Sequence, residues 1–258
     1  NQTILANSMS SFISQFVNKG FDYQLGLVTS DVENPNISYT ANTGIPGLPN
    51  FASSGPGNLV SRVGGTKIVK NTTSDPSGTF AAMAKVGTGG SGAEQGLQAL
   101  NLALSASKLA SGGANAGLVR EEALLAIVVI SDEDECTDYQ TALTRAQNLQ
   151  DRVIQLKTNN KYSFSFIVNT TASASLAPAG CVTSSQMDYP FNYIQAKNEV
   201  TGSMININND FSSDLINLGG SLIDATQKQY RLSGTPANPS AIVVKIDGVT
   251  ISNNASNE

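Results

Sequence analysis

Histidine is absent from this chain. That removes the usual general base, the Ser-His-Asp and Cys-His arrangements of nucleophilic catalysis, and histidine-ligated zinc sites. No nucleophile–base pair is visible, so the chain is expected to bind rather than catalyse. Charge is also scarce, and no Lys/Arg cluster occurs anywhere in the sequence. With a net charge of −5 and a pI near 4.8, the chain lacks the basic face that phosphate backbones require, and no nucleic-acid partner is expected. No apolar run reaches the ~20 residues needed to span a bilayer, so no transmembrane segment is expected. The start carries no signal-peptide pattern and is abrupt, as in a mature or trimmed form.

The residues that are present describe a folded chain. Hydrophobic residues make up 40% and charged residues 14%, a globular balance rather than a disordered one. The 258 residues suffice for one large domain, with or without a small appendage. Polarity comes from Ser, Thr, Asn and Gly, which suits an exported protein. Two cysteines, Cys136 and Cys181, are too far apart in sequence for a zinc reading. They read as a disulfide if the protein is exported, or as two buried thiols otherwise. Such a bond would confer ~4 kcal/mol on the chain-entropy view.

Strand and helix patterns alternate along the chain. Leu5, Met9, Phe12, Ile13, Phe16 and Val17 recur at helical spacing, and Gly20 is a natural helix stop. Tyr23 to Asp31 reads as a strand ending in polar residues. Residues 32–64 read as a long surface loop, Thr66–Val69 as a short strand and Phe80–Val86 as a short helix. The glycine-rich turn Gly87–Gly92 opens a helix with Leu97, Leu100, Leu104 and Leu109 on one face. Glu94 sits in its first turn, complementing the dipole. Leu124–Ile130 is continuously apolar and β-branched, as in a strand covered on both faces. A helix over 138–157, a strand over Tyr162–Val168, a helix over Tyr193–Val200, a strand over Ser203–Ile207 and a helix over Phe211–Ala225 follow. This order predicts an α/β fold, a doubly wound and mostly parallel sheet flanked by helices, with ligands outside the carboxyl ends of its strands. From Tyr230 the pattern changes. Thr235–Pro239 reads as a linker, and Ile242–Ile251 as the start of a small β module turning at Asp247-Gly248.

The chemistry concentrates in Asp132-Glu-Asp-Glu135, directly after the apolar strand. Adjacent carboxylates repel, by ~1 kcal/mol in water and ~4 kcal/mol at an effective dielectric of 20 for charges 4 Å apart. A hard divalent cation would reverse that sign. A solvated acidic loop is the plainer alternative. The strand imitates a Walker B element, but Gly87–Gly92 contains no Lys and is followed by Glu94, which would repel a triphosphate. The same turn imitates a dinucleotide fingerprint without the strong preceding strand or the later acidic residue. It reads either as a plain helix entry or as a source of Thr88 or Ser91 hydroxyls for a metal at Asp132.

With these segments assembled, Gly87-Thr-Gly-Gly-Ser-Gly-Ala-Glu-Gln-Gly-Leu97 and Ala126-Ile-Val-Val-Ile-Ser-Asp132 resemble the von Willebrand factor type A family. The likeness is nearest to bacterial surface and lipoprotein members, with Asn115–Arg120 and Asn209–Leu215 in support. It covers about residues 1–228, leaving 229–258 as linker and partial β module. It implies a metal-ion-dependent adhesion site holding Mg2+ (or Ca2+/Mn2+), with Asp132 and Thr88, or alternatively Ser91, among the ligands. Asp31, Glu133 and Asp134 would lie on the ligand-binding rim. The family's Asp-x-Ser-x-Ser motif and first strand precede the first helix, where this chain starts. A gap in the sheet is therefore expected, filled by another segment, with a possible lipid anchor upstream. The expected function is a secreted or cell-surface adhesion module, in an extracellular, cell-surface or periplasmic location, that recognises a protein ligand. The alternative is a structural subunit of an extracellular fibre, its sheet completed by a neighbouring strand.

Overall fold

The apolar spacing of the sequence becomes helix wherever a start and a stop are encoded nearby. The computed structural model describes residues 2–33, 38–39, 51–52, 55–62, 65–87, 91–157, 161–171, 189–209, 211–226, 238, 243–246 and 249–251. Helix α1 (Gln2–Asn18) ends at Gly20, whose φ of 68° is the left-handed turn that glycine adopts without strain. Short strands follow: β1 (Gln24–Leu25), β2 (Ser38–Tyr39), β3 (Phe51–Ala52), β4 (Ser61–Arg62) and β5 (Val69–Lys70). Helix α2 (Pro76–Ala84) starts on proline, and Asp75 accepts the Gly78 N–H at 3.0 Å. Then come α3 (Gly96–Ala103), α4 (Ala106–Leu109) and strand β6 (Leu125–Ile130). Helix α5 (Tyr139–Leu156) is capped by Asp138, which accepts the Thr141 N–H at 3.0 Å. Strand β7 (Tyr162–Val168), helix α6 (Phe191–Glu199), strand β8 (Ser203–Asn206) and helix α7 (Phe211–Thr226) complete the first of two compact units, Asn1–Thr226. In the second, Gln227–Glu258, strands β9 (Val244–Ile246) and β10 (Val249–Ile251) pair antiparallel. The expected Asp247-Gly248 turn and the Thr235–Pro239 linker fall on or run into residues outside those described.

The first unit mixes helix and strand around a three-stranded parallel sheet, β6-β7-β8. Side chains alternate across it as the two-residue period requires. Ile167 joins a cluster with Phe12, Ile13, Met83, Leu215, Leu218 and Leu222 from α1, α2 and α7. Phe164, Phe166 and Val168 join the opposite cluster, with Leu97, Leu149, Val153 and Tyr193 from α3, α5 and α6. Each large side chain fully buried this way stabilises by roughly 1.5–3 kcal/mol. Among the described residues no helix is long and apolar enough to cross a membrane.

Several elements depart from the sequence reading. The helix expected to run through Leu109 breaks at Ser105, whose ψ of 150° is extended, and so divides into α3 and α4. The stretch 32–64, read as surface loop, contributes β2, β3 and β4, which pair antiparallel in that order. It also buries Leu59 and Val60 at 2% and 0% exposure. Strand β6 departs most. Its sequence suits a strand covered on all sides, yet Ala126 is exposed and Leu125, Val128 and Ile130 are only half-buried. The reason is topological: among the described residues β6 pairs with β7 alone, so it is an edge. Strand β1 pairs with β5 in a separate antiparallel ladder.

Asn115 ties the 57–60 segment into the core. It is fully buried. Its carbonyl accepts the Leu59 N–H at 2.9 Å, and its amide donates to Gly57 O at 2.8 Å and Ala103 O at 2.9 Å. Asn115→Ala would leave a donor and two acceptors unpartnered. The expected loss is about 3 kcal/mol, read as a lower urea midpoint at unchanged slope. A loss within ~0.5 kcal/mol would show that water replaces the side chain.

Candidate functional site

Helices α3 and α6 begin without local capping side chains. The residue before α3 is Gln95 and the residue before α6 is Pro190, and neither gives a capping hydrogen bond. Both helices are capped instead by the acidic run after β6. Asp134 accepts the Asn192 N–H at 3.0 and 2.9 Å on its two oxygens, and the Tyr193 N–H at 3.2 Å. Glu135 accepts the Leu97 N–H at 2.8 Å and the Gln98 N–H at 3.3 Å. A helix N-terminus offers unpaired N–H groups and a positive dipole end, so a carboxylate fits there. Glu135 also pairs with Arg145 of α5 at 2.8 Å and accepts the Tyr193 hydroxyl at 3.2 Å. The Arg145 guanidinium reaches Gln95 Oε1 at 2.9 Å as well.

The four acids therefore divide by depth. Asp134 and Glu135 are buried, at 4% and 1% exposure, whereas Asp132 is exposed and Glu133 is half-buried. Asp134 was expected on the rim. It lies inside because α6 draws its carboxylate onto the helix start. Asp31, also read as rim, is only 4% exposed. Its oxygens accept the Glu33 N–H at 3.1 Å and the Ser91 N–H at 2.9 Å, which bind the end of the β1 segment to the turn before α3. The Ser91 hydroxyl donates to Glu33 at 2.6 Å.

Asp132 is not alone at this edge. Glu94 lies just before α3, rather than in its first turn, and its carboxylate accepts the Ser30 hydroxyl. Burial pushes the Glu94 pKa up, the Ser30 bond opposes this, and the nearby charges of Asp132 and Asp31 push it further up. Glu94 thus lies within electrostatic range both of Asp132, just after β6, and of Asp31, beyond β1. The oxygen-only donor set suits Mg2+, Mn2+ or Ca2+ over softer metals. Among the described residues no group of three Asp, Glu, His or Cys side chains is placed to hold a metal ion. Thr88 and Cys181 lie outside the described residues. Cys136 is buried and donates its N–H to Glu94 O at 2.6 Å.

Sequence reasoning gave Glu94 only a dipole role and missed Ser30, Arg145 and Tyr193. Their spacing from Asp132 carries no local signal. No family model matches the chain, and no curated protein and no solved structure matches it.

Burial pushes the Asp134 carboxyl up to about 7, against the Asn192 and Tyr193 N–H groups that favour the anion. A carboxyl with a raised folded pKa holds its proton more tightly when folded. Its stabilising contribution is full below the unfolded pKa, near 4, and is lost as pH rises through about 7. Between pH 5 and pH 8 the protein is expected to lose about 2–3 kcal/mol more stability than an Asp134→Asn variant. Parallel urea-midpoint profiles would refute this. Arg145→Ala, which strands the Glu135 charge, is expected to cost about 3–5 kcal/mol. Arg145→Met combined with Glu135→Gln should recover part of that loss, and thermal melts compare the two.

Proposed function

We propose that the chain is a secreted or cell-surface binding module that engages a protein ligand at the acidic carboxyl edge of its sheet. The observation that carries this reading is the placing of Glu94, bonded to Ser30, within electrostatic range of both Asp132 and Asp31. Unscreened, that charge is unfavourable, and a hard cation relieves it. Asp132 and Glu94 would hold Mg2+ (or Ca2+/Mn2+), with hydroxyls from Ser30, Ser91 or Thr88 and with water completing the shell. Two carboxylates plus water is a common magnesium arrangement. A cation held in this way keeps a position open for a carboxylate of the protein ligand. Asp31 and Glu133 would set the charge around it. The reading is one of recognition, not turnover.

The same proposal takes residues 1–228 as a von Willebrand factor type A-like domain. Its sheet would be doubly wound, and a Cys136–Cys181 bond would anchor the loop after β7. An extracellular, cell-surface or periplasmic location accords with that bond. A second reading, a structural subunit of an extracellular fibre, is favoured by the unpaired edge of β6.

Isothermal titration with Mn2+ tests the metal. The unsubstituted chain is expected to bind it, and Asp132→Ala and Glu94→Gln to weaken binding at least ~10-fold, a loss of about 1.4 kcal/mol. Indistinguishable heats for all three proteins would overturn the proposal.

A further inference from the structure

At the end of β6 opposite Asp132, the first unit bounds an open cavity of about 360 Å³. Leu109, which closes α4, forms one wall. Gly117, Val119 and Glu121 come from the segment that leads into β6, and Gln155 and Leu156 from the last turn of α5. The six residues of β6 separate this cavity from the acidic run, about 20 Å of extended chain.

The wall after α4 is held by its own bonds. The Gly113 N–H bonds Ala110 O at 2.8 Å, and the Asn115 N–H bonds Lys108 O at 2.9 Å. The buried Asn115 side chain fixes this turn to Gly57 and Ala103. Gly117 has a φ of 80°, and a Cβ placed on it would meet nothing within 4 Å, so that wall faces open space. The cavity is therefore shaped without a ligand, and its volume falls in the range of small-molecule sites.

Its lining combines apolar surface with one charge. Leu109, Val119 and Leu156 are half-buried and pack against the cluster that contains Leu149 and Val153. Glu121 is exposed, and among the described residues its carboxylate has no hydrogen bond and no ion pair. The nearby cations are engaged elsewhere. Lys157, 1% exposed, donates its Nζ to the Arg120 and Glu121 main-chain oxygens rather than to the carboxylate. Arg120 pairs with Asp22. Arg152 donates to Leu104 O at 2.7 Å and to Gln155 Oε1 at 3.3 Å. Lys157 still lies within electrostatic range of Glu121 and offsets part of its charge. The carboxyl end of α5, 18 residues long, adds the negative end of a helix dipole.

We infer that this cavity binds a small organic cation, an ammonium group on a short apolar body. The body would lie against Leu109, Val119 and Leu156, and the ammonium would meet the Glu121 carboxylate. An anion would face that carboxylate and a helix carboxyl end, so it is disfavoured. The inference requires neither a metal at Asp132 nor a protein ligand at the acidic edge.

Amide chemical shifts of the isotope-labelled full chain, in chelator, test it. The probes are phenethylammonium, the neutral phenethyl alcohol and the anionic hydrocinnamate. Phenethylammonium is expected to move the Gly117, Val119, Glu121, Gln155 and Leu156 amides saturably at millimolar concentration. It should bind about 3–5-fold more tightly than the alcohol, the ratio that an exposed charge pair supplies. Glu121→Gln, at an exposed position, should abolish that preference and leave the alcohol's affinity unchanged. The inference is overturned if no amide of the cavity moves saturably, if the three probes bind equally, or if the preference survives in Glu121→Gln. Shifts centred on residues 131–135 instead would place the ammonium at the acidic edge and overturn it too.

Discussion

The buried carboxylate of Glu135 is the interaction on which the arrangement of this molecule turns. Four donors reach it, from the Leu97 and Gln98 N–H groups, the Tyr193 hydroxyl and the Arg145 guanidinium. These lie on α3, α6 and α5, so one side chain fixes three helices against the end of β6. Burial pushes its pKa up, and the Leu97 N–H and Arg145 oppose that. An ion so placed costs several kcal/mol when it loses a partner. The segment 131–137 is therefore held in place, and Asp132, three residues before Glu135, is held at the sheet edge with it.

The same segment places two carboxylates inside and two nearer the surface within four residues. Asp134 and Glu135 serve the helix starts, while Asp132 remains exposed within electrostatic range of Glu94. Tying Glu94 to Cys136 through its backbone and to Ser30 through its side chain links the turn before α3 to the segments that follow β6 and β1. The carboxylates between strand ends and helix starts inherit the rigidity of both, which under the proposed function would hold a cation at a fixed position.

Two kinds of surface result, with different physics. The acidic edge is electrostatic and would be tuned by cations, pH and salt. The β6 edge is apolar, and among the described residues its backbone pairs on the β7 side alone. They meet at Ser131, where the strand ends and the acidic run begins.

Much of the fold was legible in the sequence because its causes are local. The apolar spacing of α5, the Gly20 stop and the β-branched run of β6 each act within a few residues, and each marked its element to within a few positions. Asp132 was legible in the same way, as the residue that follows an apolar strand. The depth of each carboxylate was not. Asp134 is buried by a helix that starts almost sixty residues later, and Glu94 is joined to Ser30 across a similar distance. The edge position of β6 was not legible in its own composition. Strand pairing is a contact between distant segments, so composition reports what a strand can bury and only the tertiary structure decides which of its edges is covered.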